Sequence, residues 1–530
     1  MKSQILIVGA GPTGLVLAAE LRNRGVNCRL VDKAAQASAQ SRALAIHART
    51  LEIFEKMGII SEVLKSGWQS QAFTVFAGKK QLVRMTFSEL ESSYHFVLSL
   101  PQTETERILE ENFTKTGGIV ERSTTLIGVI QNAQCASVQL KLPDGKIERT
   151  DFDFVIGCDG AHSDVRRLLE VDFPGSPYPE QYVLADIDFE SSLNLTDHYV
   201  FSGTRGIAGF HPLSRNGARI FAHLGRIRKD KHANAEIGYP EPTLEELQSL
   251  IDERGPGNVT IKKLNWLSMH KVQHRQVNSY QQGRVFLAGD AAHIHSPTGG
   301  QGMNLGIQDA YNLAWKLALV QHKQAPRTLL SSYSEERHLV GKQVTVMSDL
   351  FTLINNVRSP LLQFIRNKLG PMLSKPEDIR CRYRNAVSGL SSNYRLSAIV
   401  FQAKSATDSP QAGDRMPDAM VVDIANKKSE RLFELTSGHG HHLLLVQAVD
   451  EDEEALRIAD KLETLIENDY KKQITVHRIS FVDTAPLTHR LLDARDTKVY
   501  LIRPDGYIGY RSEKFDFNSL SHYLKRIFSL

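Results

Sequence analysis

Ile5-Leu6-Ile7-Val8-Gly9-Ala10-Gly11-Pro12-Thr13-Gly14 is the stretch that decides the fold. Ile5–Val8 is a short, continuously apolar run, as expected of a strand buried on both faces of a parallel sheet. Leu15 to Asn23 follows with Leu15, Ala18, Ala19 and Arg22 at helical spacing, and Gly25 ends that helix. Asn27–Val31 reads as a second strand finishing at Asp32. Each glycine has a physical task in such a unit. Gly9 permits the strand-to-helix turn, Gly11 lets backbone approach a pyrophosphate, and Gly14 lets helix and strand pack closely. The phosphates would sit on the positive end of the helix. Asp32 lies 18 positions after Gly14, where a carboxylate accepts from a ribose hydroxyl. The spacing predicts an α/β chain with a Rossmann-like dinucleotide domain, and leaves NAD and FAD both open.

Two further strands end in polar turns. Phe154–Gly157 leads into Cys158-Asp159-Gly160-Ala161-His162-Ser163-Asp164-Val165-Arg166, which reads equally well as a ligand loop or as a helix capped by Asp159 or Ser163. Val285–Ala288 leads into Gly289-Asp290 and then Pro297-Thr298-Gly299-Gly300-Gln301-Gly302-Met303-Asn304, before a long helix containing Leu305, Gln308, Asp309 and Trp315. Asp290 is placed to hold a sugar-like hydroxyl. The Gly299–Gly302 turn lets backbone amides reach a planar ring, and the helix behind it offers its positive end to negative charge there. His293 and His295, at i and i+2, do not have a metal-ligand pattern.

Composition bounds the alternatives. With 530 residues the chain should hold about three domains, and 41% hydrophobic with 23% charged residues is globular. A net charge of +4 is nearly neutral at this length, which argues against nucleic acid. The one basic stretch, Arg215 to His232, reads as a solvated strand and loop. Cys28, Cys135, Cys158 and Cys381 are far apart and form no Cys-x-x-Cys, so neither a disulfide framework nor a zinc site is expected, and a reducing cytoplasm is the natural compartment. No apolar run reaches the roughly 20 residues of a membrane span.

Taken in order, these motifs make the chain resemble the class A flavoprotein aromatic hydroxylases, which include phenol and para-hydroxybenzoate hydroxylases. The resemblance covers roughly residues 1–340. It implies FAD as cofactor, NADPH or NADH as transient reductant and O2 as co-substrate. It also implies hydroxylation of a phenolic or polycyclic aromatic small molecule through a C4a-hydroperoxyflavin. Under it, Gly9, Gly11, Pro12, Thr13, Gly14, Asp32 and Lys33 belong to the ADP site. Arg42, more than Arg49, would approach the phosphates, and Gln102 and Leu126 would contact FAD. Asp159, Gly160 and Arg166 match the motif shared between FAD and NAD(P)H. Gly289 and Asp290 match the ribityl motif, and Pro297, Gly300, Gly302, Met303 and Asn304 would face the isoalloxazine. The substrate base is left open among His211, Tyr182 and His293. The same scaffold could carry Baeyer–Villiger or antibiotic-inactivating oxygenation, or serve as a non-catalytic FAD-bound scaffold. Trp68, Trp266 and Trp315 are isolated, which disfavours halogenation.

The resemblance divides the chain into an FAD domain at 1–175 and 275–400 with a helical extension, and a substrate sheet at 176–274. A thioredoxin-like domain at 411–530 would follow. Strand-like stretches at Tyr182–Phe189, Tyr199–Ser202 and Arg219–Leu224 fill the second part. Apolar helices between Val340 and Leu373 could form core or a homodimer face. Ala406–Asp418 reads as a linker. No cysteine follows Cys381, so a dithiol role for the last domain is excluded.

Overall fold

The computed structural model describes residues 4–529, except 40, 42, 204–205, 227, 230–235, 297–298, 356–358, 374–375, 404–409, 448–452 and 482–497. Arg42 and Pro297 therefore lie outside the described residues.

Ile5–Val8 is the centre of a six-stranded sheet. Its neighbours are Cys28–Val31 on one side and Phe154–Gly157 on the other, all parallel, with Val285–Leu287 beyond and Val120–Glu121 at the far edge. The short strand Gln281–Gln282 adds antiparallel at the end. All four residues of Ile5–Val8 are buried, as are those of Phe154–Gly157, which the unbroken apolar runs required. The helix begins at Pro12, earlier than its apolar spacing indicated, and runs to Asn23. Proline suits that position because the first helical N–H has no partner to lose. The long helix Gly302–Gln321 packs against it.

The second sheet has eight strands. Gly175–Ser191 and Val259–Gln276 form its long antiparallel pair, followed by Gly217–Arg226, Gly206–Pro212 and Asp197–Gly203. It does not come from one insertion. Ala72–Ala77 pairs parallel with Asp197–Gly203, and Lys80–Thr86 completes that edge. These two strands come from the part of the chain expected to lie in the FAD domain. One face of the sheet is a core of its own, with Val183, Ala185, Phe201, Phe210 and Ile220 packed on Leu247 and Ile251 of the helix Leu244–Arg254.

The C-terminal part has the thioredoxin-like order. His441–Val446 runs parallel to Ile474–Phe481 after a helical crossover and antiparallel to Lys498–Ile502, which pairs with Ile508–Ser512 before the helix Phe517–Ile527. Its border is not a loose tether. Phe401–Gln402 already pairs with Tyr510–Arg511, and the described part of the expected linker is packed. Ala412 and Met416 are buried, Gly413 donates to Ile508 O, and Ile508 donates to Asp414 O.

Candidate active site

The three motif strands, nearly 300 residues apart in sequence, are adjacent in the sheet. Gly9 donates to Val31 O, Cys158 to Val8 O at 2.7 Å, and Ala288 to Gly157 O at 3.0 Å. Their polar turns therefore meet at one carboxyl edge, where open α/β sheets bind ligands.

The first turn is built by sterics. Gly9 has φ +104°, and a Cβ there would lie 2.4 Å from Cys158 O. A Cβ on Gly14 would lie 1.9 Å from Gly9 O, so strand and helix approach each other too closely for a side chain. A Cβ on Gly11 would meet nothing within 4 Å, so free space faces the backbone at that residue. Asp32 is fixed from its own loop, accepting from Ala10 N at 2.7 Å and Ala34 N at 2.8 Å, with the Arg122 guanidinium 4.0 Å away. These residues fit a dinucleotide: an open glycine, a helix N-terminus and an oriented carboxylate. Lys33 reaches across to Asp164 at 3.0 Å. Gln102 clamps the segment that contains position 42: its backbone donates to Ser41 Oγ and Ala43 O, and its Oε1 accepts from Ala43 N. Leu126 is a core side chain, paired across the strands with Leu140.

Asp159 does cap the helix Asp164–Leu168. It accepts from Ser163 Oγ and from the backbone N–H of Asp164 and Val165, while burial pushes its carboxyl up. Ser163 caps the same turn by accepting from Arg166 N. The Arg166 guanidinium donates to Ala291 O at 2.9 Å and Ala161 O at 2.7 Å, and lies 3.8 Å over the Phe173 ring. Arg166 thus ties the second motif to the third, and burial lowers its pKa.

Gly289–Ala291 forms a single 3-10 turn that leaves Asp290 exposed. Behind it sits a group that the sequence did not single out. Asp309, fully buried, accepts from Gly289 N at 3.0 Å, His293 Nε2 at 2.7 Å and Arg337 Nε at 2.7 Å. Burial pushes the Asp309 carboxyl up, but Arg337 and His293 outweigh it and hold it low. His293, one of the three candidate bases, is engaged here, stacked on Tyr280 and 1% exposed. It braces the third turn from the edge strand His293–Ile294 of the second sheet, which pairs antiparallel with Arg275–Gln276.

Asn304 points back to the first domain as well. It accepts from His47 N at 3.0 Å and donates to Ala45 O and Gly300 O, both at 2.8 Å. His47 Nε2 lies 2.9 Å from Gly299 O. A carbonyl can only accept, so Nε2 carries the proton and Nδ1, buried without a partner, is a bare acceptor. Burial pushes the His47 pKa down to about 4. Gly302 and Met303 begin the helix on this loop. Arg49, by contrast, is buried and bonds to Glu52 and to Asp505 O of the C-terminal domain.

Strand registers show which side chains of the second sheet lie on the face away from its own core. Tyr182 pairs with His223, Asp186 with Arg219 and Trp266, and His211 with Arg219. All lie opposite the sheet's own core. Arg219 donates twice to Asp186 and once to Ala43 O, and sits 5.3 Å over the Trp266 ring. His198 Nε2 is 2.8 Å from Ser99 Oγ, and its ring is 4.6 Å from that of His211. Burial pushes His211 down to about 4, with Arg219 adding to it, and its Nδ1 is buried without a partner. Tyr182 stacks flat on Phe221 at 4.9 Å. Two of the candidate bases, His211 and Tyr182, therefore share one face. Period-2 alternation could have added Arg219 and Phe221 to them, but His198 and Ser99 needed the tertiary structure.

Three glycine-bearing turns at one carboxyl edge of a parallel sheet, beside a separate sheet that carries aromatic, imidazole and guanidinium groups, define a two-sheet dinucleotide-binding protein. Residues 2–348 match the family described as FAD binding domain, and residues 409–529 match the one described as aromatic-ring hydroxylase, C-terminal. The rifampicin monooxygenase of Streptomyces venezuelae is 36% identical over 69% of this chain and 72% of its own length. The pentachlorophenol 4-monooxygenase of Sphingobium chlorophenolicum is 33% identical over 87% and 82%. The solved structure of OxyS anhydrotetracycline hydroxylase from Streptomyces rimosus is 27% identical, covers 100% of this chain and 99% of its own, and superposes with a TM-score of 0.78. The chain belongs to the FAD-dependent aromatic-ring hydroxylases, a family of flavoprotein monooxygenases that use NAD(P)H and O2.

Proposed function

We propose that this monooxygenase hydroxylates a phenolic or polycyclic aromatic small molecule lying between the motif edge and the aromatic face of the second sheet. The observation carrying this reading is that Tyr182, Phe221, His211 and Arg219 share the sheet face opposite its own core, from which Arg219 donates to Ala43 O of the first domain. FAD would be held by Gly9–Gly14, Asp32 and Asp290, with the Gly299–Asn304 turn toward its ring. Bound FAD, reduced by NADPH or NADH, supplies the oxygen-activating chemistry that side chains lack. The chain's own part is to orient and enclose. Phe221, partly exposed and backed by the buried Tyr182 ring stacked on it, offers flat apolar surface to a ring. His211, held neutral at physiological pH by burial, offers Nδ1 as a hydrogen-bond acceptor to a substrate hydroxyl. The sheet keeps bulk water from the reacting atoms.

The test is NADPH and NADH oxidation by the holoenzyme against a panel of pentachlorophenol, simple phenols, anhydrotetracycline and rifampicin, with products identified by mass. Substrate-stimulated oxidation with a gain of one oxygen supports the proposal; no flavin reduction by either nicotinamide overturns it. Asp290→Ala should weaken FAD binding about tenfold or more, since hydrogen bonds to a charged group are worth roughly 1.5–3 kcal/mol. Wild-type FAD affinity in that variant would remove Asp290 from the site.

Oxygenation that inactivates an antibiotic is the second reading, favoured by the 36% identity to a rifampicin monooxygenase, and the same panel decides it. A cytoplasmic location is proposed from the scattered, free cysteines, and a homodimer from the exposed Leu361, Leu362 and Phe364 on the helix Pro360–Leu373. Among the described residues no helix is long and apolar enough to cross a membrane.

A further inference from the structure

The helix Ala48–Lys56 lies in the FAD domain, yet the C-terminal domain holds it at three successive places. Asp505 O accepts from Arg49 Nη2 at its first turn. Arg415 Nη1 donates to Glu52 Oε1 at 3.1 Å in its middle, where Glu52 also accepts from Arg49. Arg431 Nη1 donates to Glu55 Oε1 at 2.8 Å near its end. Arg49, Glu52 and Arg415 are almost completely buried, so these are not screened surface pairs. The Arg49 guanidinium also lies 5.1 Å from the centre of the Tyr507 ring, and its backbone N–H is bound by Ser388 O.

The residue capping this helix is His47, and its two outward bonds go to one loop: Nε2–H to Gly299 O and backbone N–H to Asn304 Oδ1. Asn304 in turn holds Gly300 O. A path thus runs from the C-terminal domain, along the backbone of one helix and through His47 and Asn304, to the Gly299–Asn304 turn.

We propose that the C-terminal domain positions the flavin-facing turn, with His47 as the positioning residue that transmits its hold. This rests on the proposal that Gly299–Asn304 faces the isoalloxazine. The turn presents backbone amides and the positive end of the helix Gly302–Gln321, which favour negative charge on reduced flavin. Fixing Gly299 O keeps those amides aimed; releasing it lets them turn toward water. The C-terminal domain, which has no cysteine for redox work, acquires a role in setting the flavin's environment without touching it.

His47→Leu removes the donor at similar size, and His47→Gln keeps one. Arg431→Gln weakens the clamp at its least buried link and keeps the variant foldable. Three measurements apply to each protein: amide exchange of residues 299–304 in the apoprotein, FAD affinity by titration of the apoprotein, and the reduction potential of the holoenzyme. His47→Leu should speed exchange in the turn at least tenfold, weaken FAD tenfold, and reduce the preference for reduced over oxidised flavin about tenfold. That last change is a potential lower by about 30 mV for a two-electron couple. His47→Gln should recover most of each effect, and Arg431→Gln should move all three in the same direction by a smaller amount. Unchanged exchange in His47→Leu overturns the positioning role. Unchanged exchange in Arg431→Gln, with His47→Leu altered, overturns the part of the C-terminal domain. Faster exchange with unchanged potential and affinity overturns instead the reading that this turn faces the flavin.

Discussion

Two glycines two positions apart do different work. Gly9 is required by the fold: its φ is positive and a methyl group would run into the Cys158 carbonyl. Gly11 has free space in front of it, so its requirement comes from the ligand and not from the chain. Gly9→Ala should destabilise the apoprotein by about 3 kcal/mol or more, through strain at a forbidden backbone position. Gly11→Ala should melt like the wild type as apoprotein but bind FAD at least tenfold more weakly. A thermal melt of each apoprotein beside an FAD titration separates the two, and a destabilised Gly11→Ala apoprotein would contradict the assignment. At this scale the strand-to-helix turn at Gly9 and the close approach of Gly14 to Gly9 were legible, because both follow from the local spacing of the glycines. Asp309 and His47 were not. An aspartate within an apolar helix and a histidine before one look like ordinary surface and cap residues until Arg337, or Asn304 some 257 positions away, comes alongside.

Elements were legible wherever hydrophobic spacing was simple. The unbroken apolar runs at 5–8, 154–157 and 285–287 became the parallel strands they suggested. Strand pairing was harder. Nothing in Ala72–Ala77 announces that it will join Asp197–Gly203 in parallel, because its alternating burial would suit any half-covered sheet. Gly206–Pro212 lies in the sheet with His211 on the face opposite the sheet's own core. Phe221 belongs to that face in the next strand and is only partly covered. Phe221→Ala should raise the KM of a stimulating phenol about tenfold, the order expected for about 1.5 kcal/mol of ring contact. FAD affinity should stay at the wild-type value. An unchanged KM, or a loss of FAD instead, would place the ring elsewhere.

Across the whole molecule the decisive seam joins the FAD domain to the C-terminal domain. Glu336 accepts from Lys316 at 2.8 Å and from both Nη atoms of Arg503, at 2.7 and 2.9 Å. Asp505 takes Arg503 as well, together with Trp315 Nε1 and Asn312 Nδ2 at 3.1 Å. Lys316, Glu336, Arg503 and Asp505 are buried and their formal charges cancel. Such a group says little about net stability, but removing one member leaves an unpaired buried charge, which costs roughly 3–5 kcal/mol. Arg503→Met should lower stability by that order, and flavin release should coincide with loss of the C-terminal domain's structure in one transition. Separate transitions in the wild type, followed by flavin fluorescence and far-ultraviolet dichroism, would show that the seam does not couple the two. Charge residues scattered over nearly 200 positions gave no warning of this group, and the apparent linker at 406–418 suggested a looser joint than the packed one observed.

The second sheet is sewn from three separated stretches of chain, 72–86, 175–276 and the edge strand His293–Ile294, and this bears on recombination. A chimera that imports only 175–276 from a relative would set a foreign Asp197–Gly203 edge against the host's Ala72–Ala77 and break the parallel register between Asp197↔Ala72 and Ser202↔Ala77. The second sheet is therefore not a single transferable cassette. Exchange between relatives should yield folded hybrids only when these stretches travel together.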